Sequence, residues 1–240
     1  MQFTYSTFHR GFLGWVACLV FACLASGCGK GESAAPSASI AEGDQTKAEA
    51  AGETQGATVG EGAAARRAAP NLHPTVLLRT SHGEIKIRLD GEKAPATVDN
   101  FLSNYVDRGF YDGTIFHYVD KGSMILGGGY SAAKEPKTPW AQIRNEAENG
   151  LKNRRGTVAM ARLPEFVDSA TSQFFINVVD NPQLDHQGEG AAAYGYCVFG
   201  EIVSGLEVVD QIAAVAVQNS GEFPSTPVTP VVIESARRID

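Results

Sequence analysis

The residues best suited to chemistry lie in one run, Ser169-Ala170-Thr171-Ser172-Gln173-Phe174-Phe175-Ile176-Asn177-Val178. Strand alternation puts Gln173, Phe175 and Asn177 on one face and Phe174, Ile176 and Val178 on the other. Large apolar groups on both faces mean that both faces are covered. Phe175 therefore either fills a core or floors an apolar pocket, with the Gln173 amide two residues away on the same side. A neutral amide beside an aromatic floor suits binding of a peptide group, not proton transfer or metal capture.

Other chemistries find less support. His73, His82, His117 and His186 are scattered without zinc spacing, so neither a metal nor a cofactor is expected. There is no phosphate loop and no nucleophile elbow. Gly127-Gly128-Gly129 lacks a following Lys-Ser and reads as a turn needing close backbone approach. Asp185-His186 could be an acid–base pair, but Asn181, Pro182, Gln187 and Gly188 surround it, which reads as a solvated loop. The net charge of −7 argues against nucleic acid and anionic lipid as partners. Cys197, within the apolar run Tyr196 to Phe199, reads as a buried, inert thiol.

The elements that must position the run follow from periodicity. Thr75–Thr80 and Glu84–Leu89 form two strands joined by a tight Ser81-His82-Gly83 turn, with Ile85, Ile87 and Leu89 inward. Pro95 and Thr97 open a helix to about Tyr105, where Val98, Phe101, Leu102 and Tyr105 share a face. A second helix spans Leu206 to Ala213. Further strands are expected at Thr114–Tyr118, Ser123–Leu126, Thr157–Ala161, Gln173–Val178, Tyr196–Ile202 and Val231–Arg238. Many short strands with two helices argue for a mostly β, closed sheet, because closure removes exposed edges.

The N-terminal part has a different character. Residues 1–28 read as an export signal: His9 and Arg10 in a weak basic region, then the apolar stretch Phe12 to Leu24. That stretch is short for a membrane span of about 20 residues. It ends at Leu24-Ala25-Ser26-Gly27-Cys28, which resembles the lipobox of bacterial lipoproteins and implies acylation of Cys28. An uncleaved anchor is the alternative. Gly29 in place of aspartate resembles the pattern of lipoproteins that reach an outer membrane, so the expected location is the bacterial cell envelope, lipid-anchored at the periplasmic face of the outer membrane. Residues 29–71 are rich in Ala, Gly, Glu, Ser and Thr and lack aromatics, the composition of a disordered tether. Residues 72–240 make one domain with Cys197 as its single cysteine, so no disulfide inside it is possible. A monomer is expected.

The central run resembles the signature of the cyclophilins, the peptidyl-prolyl isomerases. Collinear blocks extend the resemblance from Thr75 to the C-terminus: Asn100-Phe101-Leu102, Phe110 to His117, Gly127-Gly128-Gly129, Asn145-Glu146-Ala147, Gly156 to Arg162 and Tyr196 to Gly200. The short bacterial members are most similar. The resemblance implies an eight-stranded closed antiparallel barrel capped by two α-helices, binding proline-containing polypeptides on its outer face. Rotation of an X–Pro bond meets a barrier near 18–20 kcal/mol. A catalyst lowers it by holding the ring in an apolar slot and offering a donor to the prolyl nitrogen. By the resemblance Phe175 floors that slot, Met124 and Leu184 wall it, and Gln173 binds the substrate backbone. Ala161 and Arg162 meet the passing peptide, and Tyr196 stands where many members have histidine.

Three departures bear on rate. Tyr118 follows Phe116-His117 where the family has its catalytic arginine. Ser123 and Leu126 replace a phenylalanine and a glutamine, and Gln183 replaces the aromatic before the leucine wall. These changes imply a wider slot without its cation. The expected function is an isomerase assisting exported proteins at reduced rate, with Tyr118 and Gln173 as catalytic candidates. The alternative is a proline-peptide binding or chaperone module that scarcely catalyses.

Overall fold

The computed structural model describes residues 71–239, and the expected signal, Cys28 and the tether lie outside them. Alternating apolar residues make strands β1 (Thr75–Thr80) and β2 (Gly83–Leu89), which pair antiparallel through the turn at Ser81 and His82. They are followed by β3 (Thr114–Val119), β4 (Met124–Ser131), β5 (Thr157–Met160), β6 (Phe174–Asn177), β7 (Val198–Ser204), β8 (Val217–Ser220), β9 (Phe223–Pro227) and β10 (Val231–Arg238). Eight of these close a barrel in the order β1-β10-β3-β4-β6-β5-β7-β2, with every pairing antiparallel. The fold is the expected mostly β closed barrel with two helices.

The strand limits differ in instructive ways. Gln173 precedes β6 and does not belong to it. β4 runs on to Ser131, so Gly127-Gly128-Gly129 lies inside a strand and not in a turn. The close backbone approach holds: a Cβ on Gly127 would stand 3.0 Å from the Ile115 carbonyl oxygen. The β8–β9 hairpin was not expected, because Val217-Gln218-Asn219-Ser220 is polar and β9 carries Pro224 and Pro227.

Helix α1 (Pro95–Asp99) opens at a proline and continues with a π-helical pitch through Asn100–Val106. The wider pitch shows in hydrogen bonds five residues back, Asp107 N–H to Leu102 O and Phe110 N–H to Tyr105 O. No side chain at its start caps it. A distant carboxylate does so: Glu146 accepts from the Ala96 and Thr97 amides and from the Thr97 hydroxyl at 2.7–3.2 Å. Helix α2 (Leu206–Ala213) follows Gly205, whose φ of +89° and 2.2 Å approach of a built Cβ to the Glu84 carbonyl exclude other residues. Both helices place their apolar faces on the barrel interior. There Phe101 meets Tyr111, Phe174 and Phe199 at ring separations of 5.0–5.7 Å.

Candidate functional site

In β6 the alternation divides the aromatic pair. Phe174 and Ile176 belong to the barrel interior, whereas Phe175 belongs to a second apolar cluster on the opposite face. That cluster joins Met124 and Leu126 from β4, Ala159 from β5, Ala161, Leu184 and Val198, with Tyr118, Leu151 and Tyr196 packed against it. The pairings explain the convergence: Leu126 lies opposite Phe175 across β4–β6, and Ala159 opposite Phe175 across β5–β6. The structure thus brings Tyr118, Met124, Ala161, Phe175, Leu184 and Tyr196 into one patch.

The patch is tightly packed. Phe175 keeps only 2% of its surface, with Met124 and Leu126 at 4% each. Ser123 is itself buried, and its carbonyl accepts from the Val178 amide and from Asn181 Nδ2. Its hydroxyl has no partner. The Tyr196 ring stands edge-on to Phe175 at 5.7 Å.

Arg162 serves this geometry from beneath. Its guanidinium lies 4.9 Å from the centre of the Tyr196 ring and is nearly fully buried. All of its nitrogens are engaged, donating to the carbonyls of Gly195, Leu163, Pro164 and Ala191 at 2.6–3.0 Å. Four carbonyl bonds and a ring contact make it the clamp of the loop after β5. Burial lowers its pKa, with Tyr196 and Glu165 opposing that shift.

Gln173 is half-buried and its Oε1 has no partner. Its side chain crosses so close to β4 that a Cβ on Gly129 would lie 2.7 Å from its Cγ and Cδ. Tyr118 is partly exposed at the cluster edge. Burial, with Asp120 adding to it, pushes its phenol up to about 12, so it is a neutral donor at any physiological pH. Burial likewise raises Tyr196, against the pull of Arg162.

Sequence reasoning missed several residues. Ala159, Val198 and Leu151 complete the cluster. Ala159 was recoverable from alternation, since Val158 and Met160 face inward. A buried amide network was not. Asn181 Nδ2 donates to Asn177 Oδ1 at 2.8 Å, and Asn177 Nδ2 donates to Asn153 Oδ1 at 3.2 Å and to Thr157 Oγ1 at 2.9 Å. Asp185 and His186 do not pair as acid and base. Asp185 Oδ1 accepts from the Asn153 backbone at 2.7 Å, and His186 Nδ1 meets the Tyr194 carbonyl at 2.9 Å. They lie in a largely exposed loop, as expected, and being half-buried they help to knit it.

The patch offers apolar walls, one amide and phenol hydroxyls, without a nucleophile or an ionised base. Such a surface can desolvate and twist an amide but cannot cut one. Residues 75–238 match the family described as cyclophilin type peptidyl-prolyl cis-trans isomerase/CLD. The chain belongs to the cyclophilin family. Over 164 residues this cyclophilin is 52% identical to "Peptidyl-prolyl cis-trans isomerase A" of Dickeya dadantii, covering 68% of this chain and 84% of that protein. It is 51% identical to "Peptidyl-prolyl cis-trans isomerase B" of Escherichia coli, covering 67% of this chain and 96% of the relative. Among solved structures it resembles a Cryptosporidium parvum cyclophilin type peptidyl-prolyl cis-trans isomerase with TM-score 0.58 and 26% identity. That match covers 70% of this chain and 98% of the other.

Proposed function

We propose that this cyclophilin is a peptidyl-prolyl cis-trans isomerase of reduced rate that acts on exported proteins from a lipid anchor at Cys28. Membership of the family and about 50% identity to proteins named as isomerases support the activity. The single observation that carries the reduced rate is Tyr118: a neutral phenol packs on the Phe175 cluster where the resemblance implies an arginine. A charge-assisted donor is about twice as strong as a neutral one. The substrate reading keeps Gln173 for the peptide backbone, Phe175, Met124 and Leu184 for the ring, and Ala161 and Tyr196 for the flanking chain, while Arg162, buried with every nitrogen bonded, supports Tyr196 and does not itself reach the peptide. The same phenol favours a second reading, a proline-peptide binding module that scarcely catalyses.

Isomerisation of a standard proline peptide, with its binding measured alongside, separates the two. Losing one preorganised donor costs about 10²- to 10³-fold. Tyr118→Arg should recover roughly tenfold or more of that, a cautious fraction. A wild type as fast as an ordinary cyclophilin, with Tyr118→Arg neutral or harmful, would sink the reduced-rate reading. Measurable binding with no isomerisation in either protein would establish the module. The anchor has its own test: Cys28→Ser should abolish lipid labelling, and a wild type that takes up no lipid refutes it.

A further inference from the structure

Next to the Phe175 patch lies an open cleft of about 540 Å³. Its floor is the outer surface of β7 and β2, and its rim is the turn at Gly150. Leu151 and Val198 line it, and both also belong to the Phe175 cluster, so cleft and patch share a wall. The remaining walls carry both signs of charge. Arg88, Lys152 and Arg154 face Asp90 and Glu201, with His73 at one edge.

Most of these charges are already engaged. Arg88 pairs with Glu201, and His73 stands 3.7 Å from Glu92. Asp90 accepts from the Lys93 amide at 3.1 Å. Lys152 reaches Asp185 only at 3.6 Å and stays about half exposed. The Arg154 side chain has no ion pair or hydrogen bond among the described residues, and it is exposed. Beside the Asp90 carboxylate, the cleft thus keeps one guanidinium without an ion pair and one loosely held ammonium. Such a pair of cations can hold a carboxylate borne on a chain that also covers the half-buried Leu151.

The geometry points to a second binding site: the β2–β7 cleft holds acidic residues of the same polypeptide whose proline occupies the Phe175 patch. Two attachments on one chain raise its effective concentration at the slot, so acidic segments near a proline become preferred clients. Preference for a flanking charge fits a slot that has lost its own cation. The inference rests on the proline-slot reading above for its substrate.

The test is the affinity of Ala-Pro peptides carrying Glu-Glu or Gln-Gln on either side of the proline, at low and high salt. One Glu-Glu peptide should bind roughly fivefold tighter than its Gln-Gln counterpart, as expected for exposed ion pairs, and high salt should erase the gain. Arg154→Glu should remove the gain while leaving the Gln-Gln peptide unchanged. Equal affinities for all peptides, or a gain that survives Arg154→Glu, overturns the inference. Free glutarate binding as tightly as the peptide also overturns it, in favour of a small-anion site. Loss of Gln-Gln binding alone, with the Arg154-dependent acidic gain intact, refutes the proline slot and leaves the cleft standing.

Discussion

Gly129 and Gln173 show how one missing side chain sets the position of another. A Cβ at 129 would overlap Gln173 Cγ and Cδ at 2.7 Å, so Gly129→Ala must push the amide aside. If Gln173 bonds the substrate, catalytic efficiency should fall by roughly fivefold, since such a bond is worth about 1 kcal/mol. Melting temperature should change little, and unchanged kinetics would show that Gln173 does not touch substrate. His117 makes a second case. It is fully buried beside Tyr130 and Phe223 at ring distances of 4.8 and 6.1 Å. Neither ring nitrogen reaches a partner at full hydrogen-bond geometry. Burial holds it down from 6.5 to about 4, against a weaker upward pull from the Ile115 backbone. The unfolded chain therefore binds the proton first as pH falls. This contribution to stability is intact above about pH 6.5 and is lost as pH drops to about 4, in total roughly 3 kcal/mol. His117→Phe should flatten that slope, and an equal slope in the variant would assign it to carboxylates. Residue types were legible because Phe175, Met124 and Leu184 keep a recognisable pattern. The orphaned amides and hydroxyls were not, since partner and burial are set by distant strands.

At the scale of elements, helix α1 depends on a residue nearly 50 positions away. Glu146 supplies its N-terminal acceptor, tying the loop before the Ala147–Asn149 3-10 turn to the helix. Glu146→Ala leaves the Ala96 and Thr97 amides without that acceptor, and should cost about 1–2 kcal/mol by analogy with lost N-caps. Urea unfolding at neutral pH measures it, and a change below about 0.5 kcal/mol would mean that water replaces the carboxylate. The sequence named this helix from Val98, Phe101, Leu102 and Tyr105, whose apolar spacing tolerates the π-helical pitch. It could not name the cap, because nothing local marks an acceptor arriving from a loop. The same limit hid β8 and β9: β9 packs against β3, with Phe223 beside His117 and Tyr130, and tertiary contact outweighs the poor strand propensity of Pro224 and Asn219.

The whole domain is stabilised by packing without covalent cross-links. Cys197 is a free, buried thiol, and burial pushes it up to about 12, with the Thr97 hydroxyl 3.5 Å away. Residues 72–240 alone should therefore fold, with a melting temperature unaffected by reductant. A clear drop on reduction of monomeric protein would contradict that account. Barrel closure was legible from the number and brevity of the strands, whereas the order β4-β6-β5-β7 was not, since pairing between strands out of chain order leaves no local mark. Closure has one more effect. β1 and β10 are ladder neighbours, with Val76 opposite Arg238 and the Ile239 amide donating to the Thr75 carbonyl at 3.0 Å. The domain is wired almost as a ring, and where its chain begins is a matter of where the ring was cut. Joining residues 72 and 239 by a short linker and reopening the chain at the exposed Gly221 turn would leave every barrel pairing in place.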